Sequence, residues 1–182
     1  MGAPGEDVGV VRDTGMVHAL AARATSFRSL AYVSQNSPGV RGANEPGDTF
    51  GASLQDGVLS ESCYGVVSIG VPREDIGDVK DAGRITMYTL NAADPFCSAT
   101  FSRGPDAREG DRVGAALGRV EGVEPYDSTL IIGIPGQDLG SSRDAGAIQT
   151  WPRGWGTFTM SRGSLPGIRY GSVIAIFALN YY

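Results

Sequence analysis

The amino-acid sequence predicts an all-β fold built from repeated units, and three features support this prediction. Of the 182 residues, 27 are Gly and 10 are Pro, about a fifth of the chain, which indicates many turns. Apolar residues make up 41% of the chain and fall in short stretches bounded by turn residues, as strands do. Met16–Ala24 comes closest to helical spacing, but no segment keeps that spacing over three turns. The third feature is a turn motif that returns at long intervals.

The first repeated motif reads G-x-P-x-(E/Q)-D-x-G-x-x-x-D-x-G-x-(V/I). Its copies begin at Gly2, Gly70 and Gly133. A second motif reads G-D-x-(F/V)-G-A-x-L, and its copies begin at Gly47 and Gly110. The second motif advances by 63 residues from Gly47 to Gly110, and the first motif advances by the same number from Gly70 to Gly133. The two motifs therefore belong to one repeating unit. A weaker copy of the second motif occupies 166–171, with Tyr170 in the place of Phe50.

The stretches between the motifs predict about four strands in each complete unit. In chain order the predicted strands are Tyr64–Ile69, Arg84–Leu90, Cys97–Phe101, Thr129–Ile132, Ala147–Trp151 and Thr157–Met160. Four-stranded units in series are typical of β-propeller blades, whereas a sandwich would not repeat its turn chemistry at a fixed period. We therefore expect one propeller region. It comprises a partial blade in 1–45, two blades in 46–108 and 109–165, and the first strand of a further blade in 166–182.

The charge and hydropathy of the chain exclude two kinds of partner. Twenty acidic residues against 15 basic ones give a net charge of −5, the wrong sign for binding nucleic acid. The longest apolar run, Val173–Leu179, has seven residues, whereas a membrane-spanning helix needs about 20. The chain starts without a basic stretch followed by an apolar one, so we expect no signal peptide within it.

Acidic residues recur in the first motif and are candidate ligand-binding groups. They are Glu74, Asp75, Asp81, Asp138 and Asp144, with Glu6, Asp7 and Asp13 in the first copy. A residue present in every repeat favours a structural role, and Asp in a Gly-rich turn caps backbone N–H groups. We therefore expect turn formation first and ligand binding second. Trp155, between two glycines, is a further candidate, because an exposed Trp can stack on a sugar ring or anchor a protein.

Residues that would support catalysis or metal binding are scarce. His18 is the only histidine, which excludes a multi-histidine metal site, and no G-x-S-x-G motif supplies a nucleophile. We therefore predict no catalytic residues and no enzyme activity. Cys63 and Cys97 begin two predicted strands about 10 Å apart, whereas a disulfide needs Cα atoms within about 7 Å. Both a disulfide aided by the flanking loops and two free thiols stay open.

The two motifs together resemble the FG-GAP repeat of integrin-α-like β-propellers. Phe50 and Gly51 supply the Phe-Gly pair, and an apolar strand then runs into the Gly-x-Pro that begins at Gly70. The segment 34–48 is similar to the loop between blades in secreted actinobacterial members. The resemblance covers nearly the whole chain. It implies that strand 1 carries Phe-Gly, strand 2 ends at Gly-x-Pro and strand 3 begins after Asp-x-Gly.

The resemblance also implies a location and a function. It implies an extracellular, secreted binding or adhesion module that presents the loops of one propeller face to a protein or glycan. The loops expected on that face are 37–48, 74–81 and 138–144. An accessory propeller portion of a secreted hydrolase or other enzyme is the alternative, and a purely structural part of a larger assembly is a third.

Members of this family often hold calcium between alternate carboxylates in the loop between strands 1 and 2. The corresponding segments here, 55–63 and 119–127, lack alternate acidic residues. We therefore expect no metal or other cofactor. A degenerate calcium site formed by Glu121, Glu124 and Asp127 is the alternative.

The number of predicted blades implies a partner. The chain supplies about three blades, whereas closed propellers have roughly four to eight. An open arc would expose apolar blade faces and long strand edges, which soluble proteins avoid. We expect other polypeptide to complete the ring, either a second copy of this chain, giving about six blades, or the remainder of a cleaved or truncated precursor.

Overall fold

The computed structural model describes residues 1–57, 65–89, 99–120, 128–151, 157–158, 167 and 169–174. Its strands form three antiparallel sheets, which confirms the all-β prediction. Sheet 1 contains, in spatial order, β1 (Gly2–Ala3), β2 (Met16–Ala22) and β3 (Phe27–Val33). Sheet 2 contains β4 (Ser53–Gly57), β5 (Val66–Val71), β6 (Arg84–Thr89) and β7 (Ala99–Phe101). Sheet 3 contains β8 (Leu117–Val120), β9 (Thr129–Ile134), β10 (Ala147–Trp151) and β11 (Thr157–Phe158).

The observed strands lie close to the predicted ones. Strand β10 has the predicted bounds, β6 begins at the predicted residue, and β9 runs two residues further than predicted. The segment that came closest to helical spacing forms β2. Several predicted strand ends lie outside the described residues: Tyr64, Leu90, Cys97 and Met160. Within the described ranges no helix is long and apolar enough to cross a membrane.

Each copy of the first motif folds into a tight hairpin between two strands. In the second copy Ile76 and Val79 exchange two backbone hydrogen bonds of 3.0 and 3.2 Å. Gly77 between them has a φ of +62°, a conformation that favours glycine at the first position of a two-residue hairpin turn. The equivalent pairs are Val8 with Val11 and Leu139 with Ser142. The hairpins set one register for all three sheets, in which Ala3 pairs with Met16, Val71 with Arg84, and Ile134 with Ala147.

The second motif joins neighbouring sheets. Its fourth residue forms a parallel bridge with the last glycine of the preceding first motif. The bridges pair Gly15 with Phe50, Gly83 with Val113, and Gly146 with Tyr170. The expectation that strand 1 carries Phe-Gly is therefore wrong, because β4 begins only at Ser53. Thr49 and Gly51 have positive φ values, so this segment turns and Phe50 pairs with the preceding sheet instead.

The described residues form two apolar cores between the sheets. The core between sheets 1 and 2 comprises Val17, Val33, Phe50, Ile69 and Val71. The core between sheets 2 and 3 comprises Val66, Ile85, Met87, Phe101, Val113, Leu117, Leu130, Ile132, Ile134 and Ala147. Strand β5 contributes to both cores because successive side chains of a strand point to opposite faces. Its burial on both sides explains its nearly continuous apolar sequence.

Pairs of glycines allow the closest approach between sheets. A Cβ atom placed on Gly70 would lie 2.1 Å from the carbonyl oxygen of Gly114. The equivalent distances are 2.1 Å from Gly2 to Gly51 and 2.0 Å from Gly133 to Gly171. The first glycine of each G-x-P motif thus permits direct backbone contact with the second motif of the next sheet.

Candidate functional site

The repeated Asp residues hold the turns of the first motif. Asp75 accepts a 2.9 Å hydrogen bond from the backbone N–H of Asp81. Equivalent 2.9 Å bonds run from the N–H of Asp13 to Asp7 and from the N–H of Asp144 to Asp138. Asp81 and Asp144 adopt a φ of +49°, which Asp tolerates better than most residues. These bonds confirm the expected turn role of Asp75 and Asp138, and ligand binding by these residues stays a prediction.

The remaining sequence candidates divide into one observed residue and several outside the described ranges. His18 lies in β2, and its ring meets that of Tyr32 edge-on, with ring centroids 4.8 Å apart. Outside the described residues lie Cys63, Cys97, Glu121, Glu124, Asp127 and Trp155.

Glu74 differs from the other acidic residues of the motif because it is buried between sheets 1 and 2. It is only 4% exposed, and its carboxylate lies 2.8 Å from Nη1 of Arg84. Gln35 donates a hydrogen bond to the same carboxylate. Arg84 also donates a 3.0 Å hydrogen bond to the carbonyl oxygen of Arg41, which ties the 34–48 loop to sheet 2. Burial raises the pKa of Glu74, while Arg84 and Gln35 act against that rise.

Asp48 is the second buried carboxyl group at this junction. It is 2% exposed and accepts a 2.7 Å hydrogen bond from the backbone N–H of Glu45. Burial raises the pKa of Asp48 from 3.8 to about 7, even though the hydrogen bond from Glu45 lowers it. The neighbouring charges of Glu74, Glu45 and Asp75 raise this pKa further. Asp48 therefore titrates near neutral pH: its carboxyl group is protonated below about pH 7 and carries a negative charge above it.

Asp111 occupies the same position in the next copy of the second motif but has a cationic partner. Its Oδ2 atom lies 2.8 Å from Nη1 of Arg103 and accepts a 2.9 Å hydrogen bond from the N–H of Arg108. The residue equivalent to Glu74 is Gln137, which carries no charge. The buried pair Asp48 and Glu74 is therefore specific to the junction of sheets 1 and 2.

A polar groove of about 490 Å³ opens beside Asp48. It is lined by Glu45, Pro46, Gly47, Asp48, Arg73, Asp75, Lys80 and Asp81. The groove separates the 37–48 and 74–81 loops, and backbone hydrogen bonds hold these loops on one side of the sheets. The backbone N–H of Arg73 donates to the backbone carbonyl oxygen of Asp48 at 3.4 Å. The backbone N–H of Gly47 donates to the carbonyl oxygen of Arg12, in the preceding hairpin, at 3.0 Å. Four acidic and two basic residues thus line one groove between two of the expected recognition loops.

A second cavity, of about 370 Å³, lies where the three copies of the motifs meet. Residues in equivalent positions line it. They are Pro4, Pro72 and Pro135 from the first motif, and Thr49, Arg112, Arg169, Ala52, Ala115 and Ser172 from the second. Arg73 and Gly136 complete the lining. The cavity thus has apolar walls of proline and alanine interrupted by three arginines.

The sequence alone places Glu74 among the turn residues and does not single out Asp48 or Arg112. One sequence signal for Glu74 existed, since Arg84 stands where the other repeats have Met16 and Ala147. For Asp48 no local signal existed, because the same Gly-Asp dipeptide occurs in the next repeat with a different environment.

Calcium chelation is expected to leave the melting temperature unchanged. Among the described residues no group of three His, Cys, Asp or Glu side chains is arranged to hold a metal ion. The 55–63 segment also lacks the alternate carboxylates that calcium requires. Thermal melting with and without EDTA checks this prediction, and a fall of several degrees in EDTA would contradict it.

Comparison of the chain with models of known protein families and with curated proteins gave no match. The likeness to FG-GAP repeats therefore depends on the repeated motifs themselves.

Proposed function

We propose that this chain is a secreted binding or adhesion module of the FG-GAP type, which engages a protein or glycan through the loops on one face. The observation that carries the proposal is the groove of about 490 Å³ between the 37–48 and 74–81 loops. Its volume is in the range of small-ligand sites. Its acidic and basic residues offer hydrogen-bond donors and acceptors for a polar partner such as a sugar hydroxyl or a peptide.

The arrangement of the three sheets supports the proposal that they are propeller blades. Each sheet meets the next through the same parallel bridge and the same glycine contact. Loops from equivalent positions also lie on the same side of the sheets, because the same backbone hydrogen bond recurs at each junction. In it the N–H of the first glycine of the second motif donates to a carbonyl oxygen of the preceding hairpin: Gly47 to Arg12, Gly110 to Lys80 and Gly167 to Arg143. Such serial repetition of one sheet-to-sheet contact is how blades are arranged in a propeller.

The open face of sheet 1 supports a further part of the proposal, that a second copy of this chain completes the ring. Three residues occupy equivalent positions in the shared register: Leu20, Tyr88 and Trp151. Tyr88 packs against the core between sheets 1 and 2, and Trp151 against the core between sheets 2 and 3. Leu20 is exposed together with Phe27, Leu30 and Tyr32 of β3. The face that a preceding sheet covers in sheets 2 and 3 is therefore uncovered in sheet 1, and another sheet of the same repeat fits it.

Light scattering is expected to give a particle of twice the 19.0 kDa chain mass. Phe27→Lys should shift the particle to the single-chain mass, because Phe27 pairs with Ala22 on the face of Leu20 and the lysine would place a charge within the contact between copies. Val10→Lys is the matched control, since Val10 is exposed at the tip of the hairpin between β1 and β2 and belongs to neither β2 nor β3. A stable, well-dispersed monomer of the parent chain with no partner would contradict completion by a second copy.

Glycan and protein arrays probed with the purified chain test the binding function. We expect a saturable ligand whose affinity falls about tenfold in Lys80→Gln, which removes a groove cation. Arg23→Gln should leave affinity unchanged, because Arg23 is exposed in the turn between β2 and β3 and does not line the groove. No array ligand together with substrate turnover would overturn the proposal. Labelling of the chain by probes for serine or cysteine hydrolases would then favour the enzymatic alternative.

A further inference from the structure

Among the described residues, the lining of the cavity at the meeting point of the three motif copies is cationic and contains no carboxylate. Arg73, Arg112 and Arg169 line it, and the other described residues of the lining are uncharged. The chain as a whole carries a net charge of −5. Three arginines are thus concentrated around one cavity of an acidic protein, although Arg73 and Arg169 also lie 3.9 and 3.5 Å from the carboxylates of Asp81 and Asp144.

Two of these arginines occupy backbone positions that ordinarily disfavour them. Arg112 and Arg169 have φ values of +58° and +54°, and Thr49 takes +61° at the equivalent position of the first copy. Gly, Asn and Asp adopt this conformation more readily than arginine. The backbone therefore gives no reason for arginine here, whereas the cavity that both side chains line does.

Arg112 has hydrogen-bonding capacity that the described protein does not use. Its Nε atom is buried without a hydrogen-bond partner. A buried guanidinium donor normally has an acceptor, so the guanidinium of Arg112, which lines the cavity, lacks one of the partners that such a group usually has.

The other two arginines are held only weakly. Arg73 lies 3.9 Å from Asp81 and Arg169 lies 3.5 Å from Asp144, and both arginine side chains are about half exposed. Solvent-exposed ion pairs at such distances contribute little and do not fix a side chain. Both arginines can therefore turn toward a ligand in the cavity.

We propose that this cavity binds a small oxyanion, a phosphate or sulfate group that is either free or carried on a sugar. The planar guanidinium presents paired N–H donors that match the oxygens of phosphate and sulfate, and several arginines can bind one such group together. The volume of about 370 Å³ exceeds what a bare anion fills and lies at the low end of small-ligand sites. The proline and alanine walls suit the carbon face of a sugar ring. This inference concerns a different cavity from the groove of the proposed function, although Arg73 lines both.

Calorimetric titration of the full chain with inorganic phosphate, inorganic sulfate, glucose 6-phosphate and glucose tests the proposal, with sodium chloride holding the ionic strength constant. We expect saturable binding of the three anions and none of glucose. Arg112→Asn should weaken anion binding about tenfold to a hundredfold, since it removes a charge-assisted donor while asparagine tolerates the positive φ. Tighter binding of glucose 6-phosphate than of phosphate would identify the carrier as a sugar, and equal binding would identify the free anion.

Two further variants keep the outcome decisive. Arg169→Asn should also weaken binding, and it changes a half-exposed residue that lines the cavity and not the groove, with an asparagine that tolerates the positive φ, so it decides the case where Arg112→Asn does not fold. Arg143→Gln is the matched control, because Arg143 is exposed and does not line the cavity. Absence of saturable binding by every anion, or an equal loss of affinity in Arg143→Gln, would overturn the proposal.

Discussion

Replacing Gly70 by alanine is expected to lower the free energy of unfolding by about 3 kcal/mol or more, and valine should lower it further. The new Cβ atom would lie 2.1 Å from the carbonyl oxygen of Gly114 and 2.2 Å from Oγ of Ser53. Ser53 can rotate away, but Gly114 is backbone held by a 3.0 Å hydrogen bond from its N–H to Gly133. Relief of the contact therefore requires sheets 2 and 3 to move apart, which would open the core between them.

Chemical denaturation of the variants measures this effect. Gly5→Ala is the matched control, because a Cβ at Gly5 would meet only Asp13 Oδ1 at 3.8 Å. Gly133→Val should behave like Gly70→Val, since its Cβ would lie 2.0 Å from the Gly171 oxygen. A Gly70→Ala variant within about 0.5 kcal/mol of the parent would show that this backbone contact does not exist in solution.

From the sequence, substitution of Gly70 or Gly133 is expected to destabilise the fold for two reasons, of which the structure supports one. A glycine beside proline where a strand ends suggests both backbone strain and close packing. Neither glycine has a positive φ, so strain does not contribute. The close packing is present, and its partner could not be predicted because Gly114 and Gly171 belong to the next repeat along the chain.

The strands and turns could be predicted because their causes are local in sequence. Strand β10 follows from five residues of suitable type, and the hairpin around Gly77 follows from a glycine at a position that needs positive φ. The same local chemistry identifies Asp75 as a turn residue, because its acceptor bond spans only six residues.

The candidate sites could not be predicted in the same way because tertiary packing creates them. Asp48 and Asp111 stand in the same motif, yet only Asp111 meets an arginine, Arg103, through its carboxylate. Glu74 becomes buried because the 34–48 loop folds over it and supplies Gln35. These differences arise from residues outside the motifs, so a comparison of the motifs alone cannot reveal them.

Asp48 should make the protein less stable as the pH rises toward neutrality. Its pKa is about 7 in the folded protein against 3.8 ordinarily, so between these values the folded state holds a proton that the unfolded state releases. The contribution of Asp48 to stability is therefore complete below about pH 4 and is lost as the pH rises through about 7. Each unit of pKa difference corresponds to about 1.4 kcal/mol, which gives an upper limit of about 4 kcal/mol for this residue.

Asp48→Asn is expected to remove this dependence, because the asparagine oxygen can still accept the N–H of Glu45 and carries no charge to bury. Relative to the parent, the variant should gain about 2 to 3 kcal/mol between about pH 5 and about pH 8, measured by chemical denaturation at each pH. Asp111→Asn is the matched control, and its effect on the free energy of unfolding should have the opposite sign. It should destabilise the protein by about 1 to 3 kcal/mol near pH 8, since it removes the carboxylate that Arg103 contacts at 2.8 Å. If Asp48→Asn instead lost stability at about pH 8 as Asp111→Asn does, Asp48 would have to be a stabilised carboxylate there, and the buried proton at the junction of sheets 1 and 2 would be excluded.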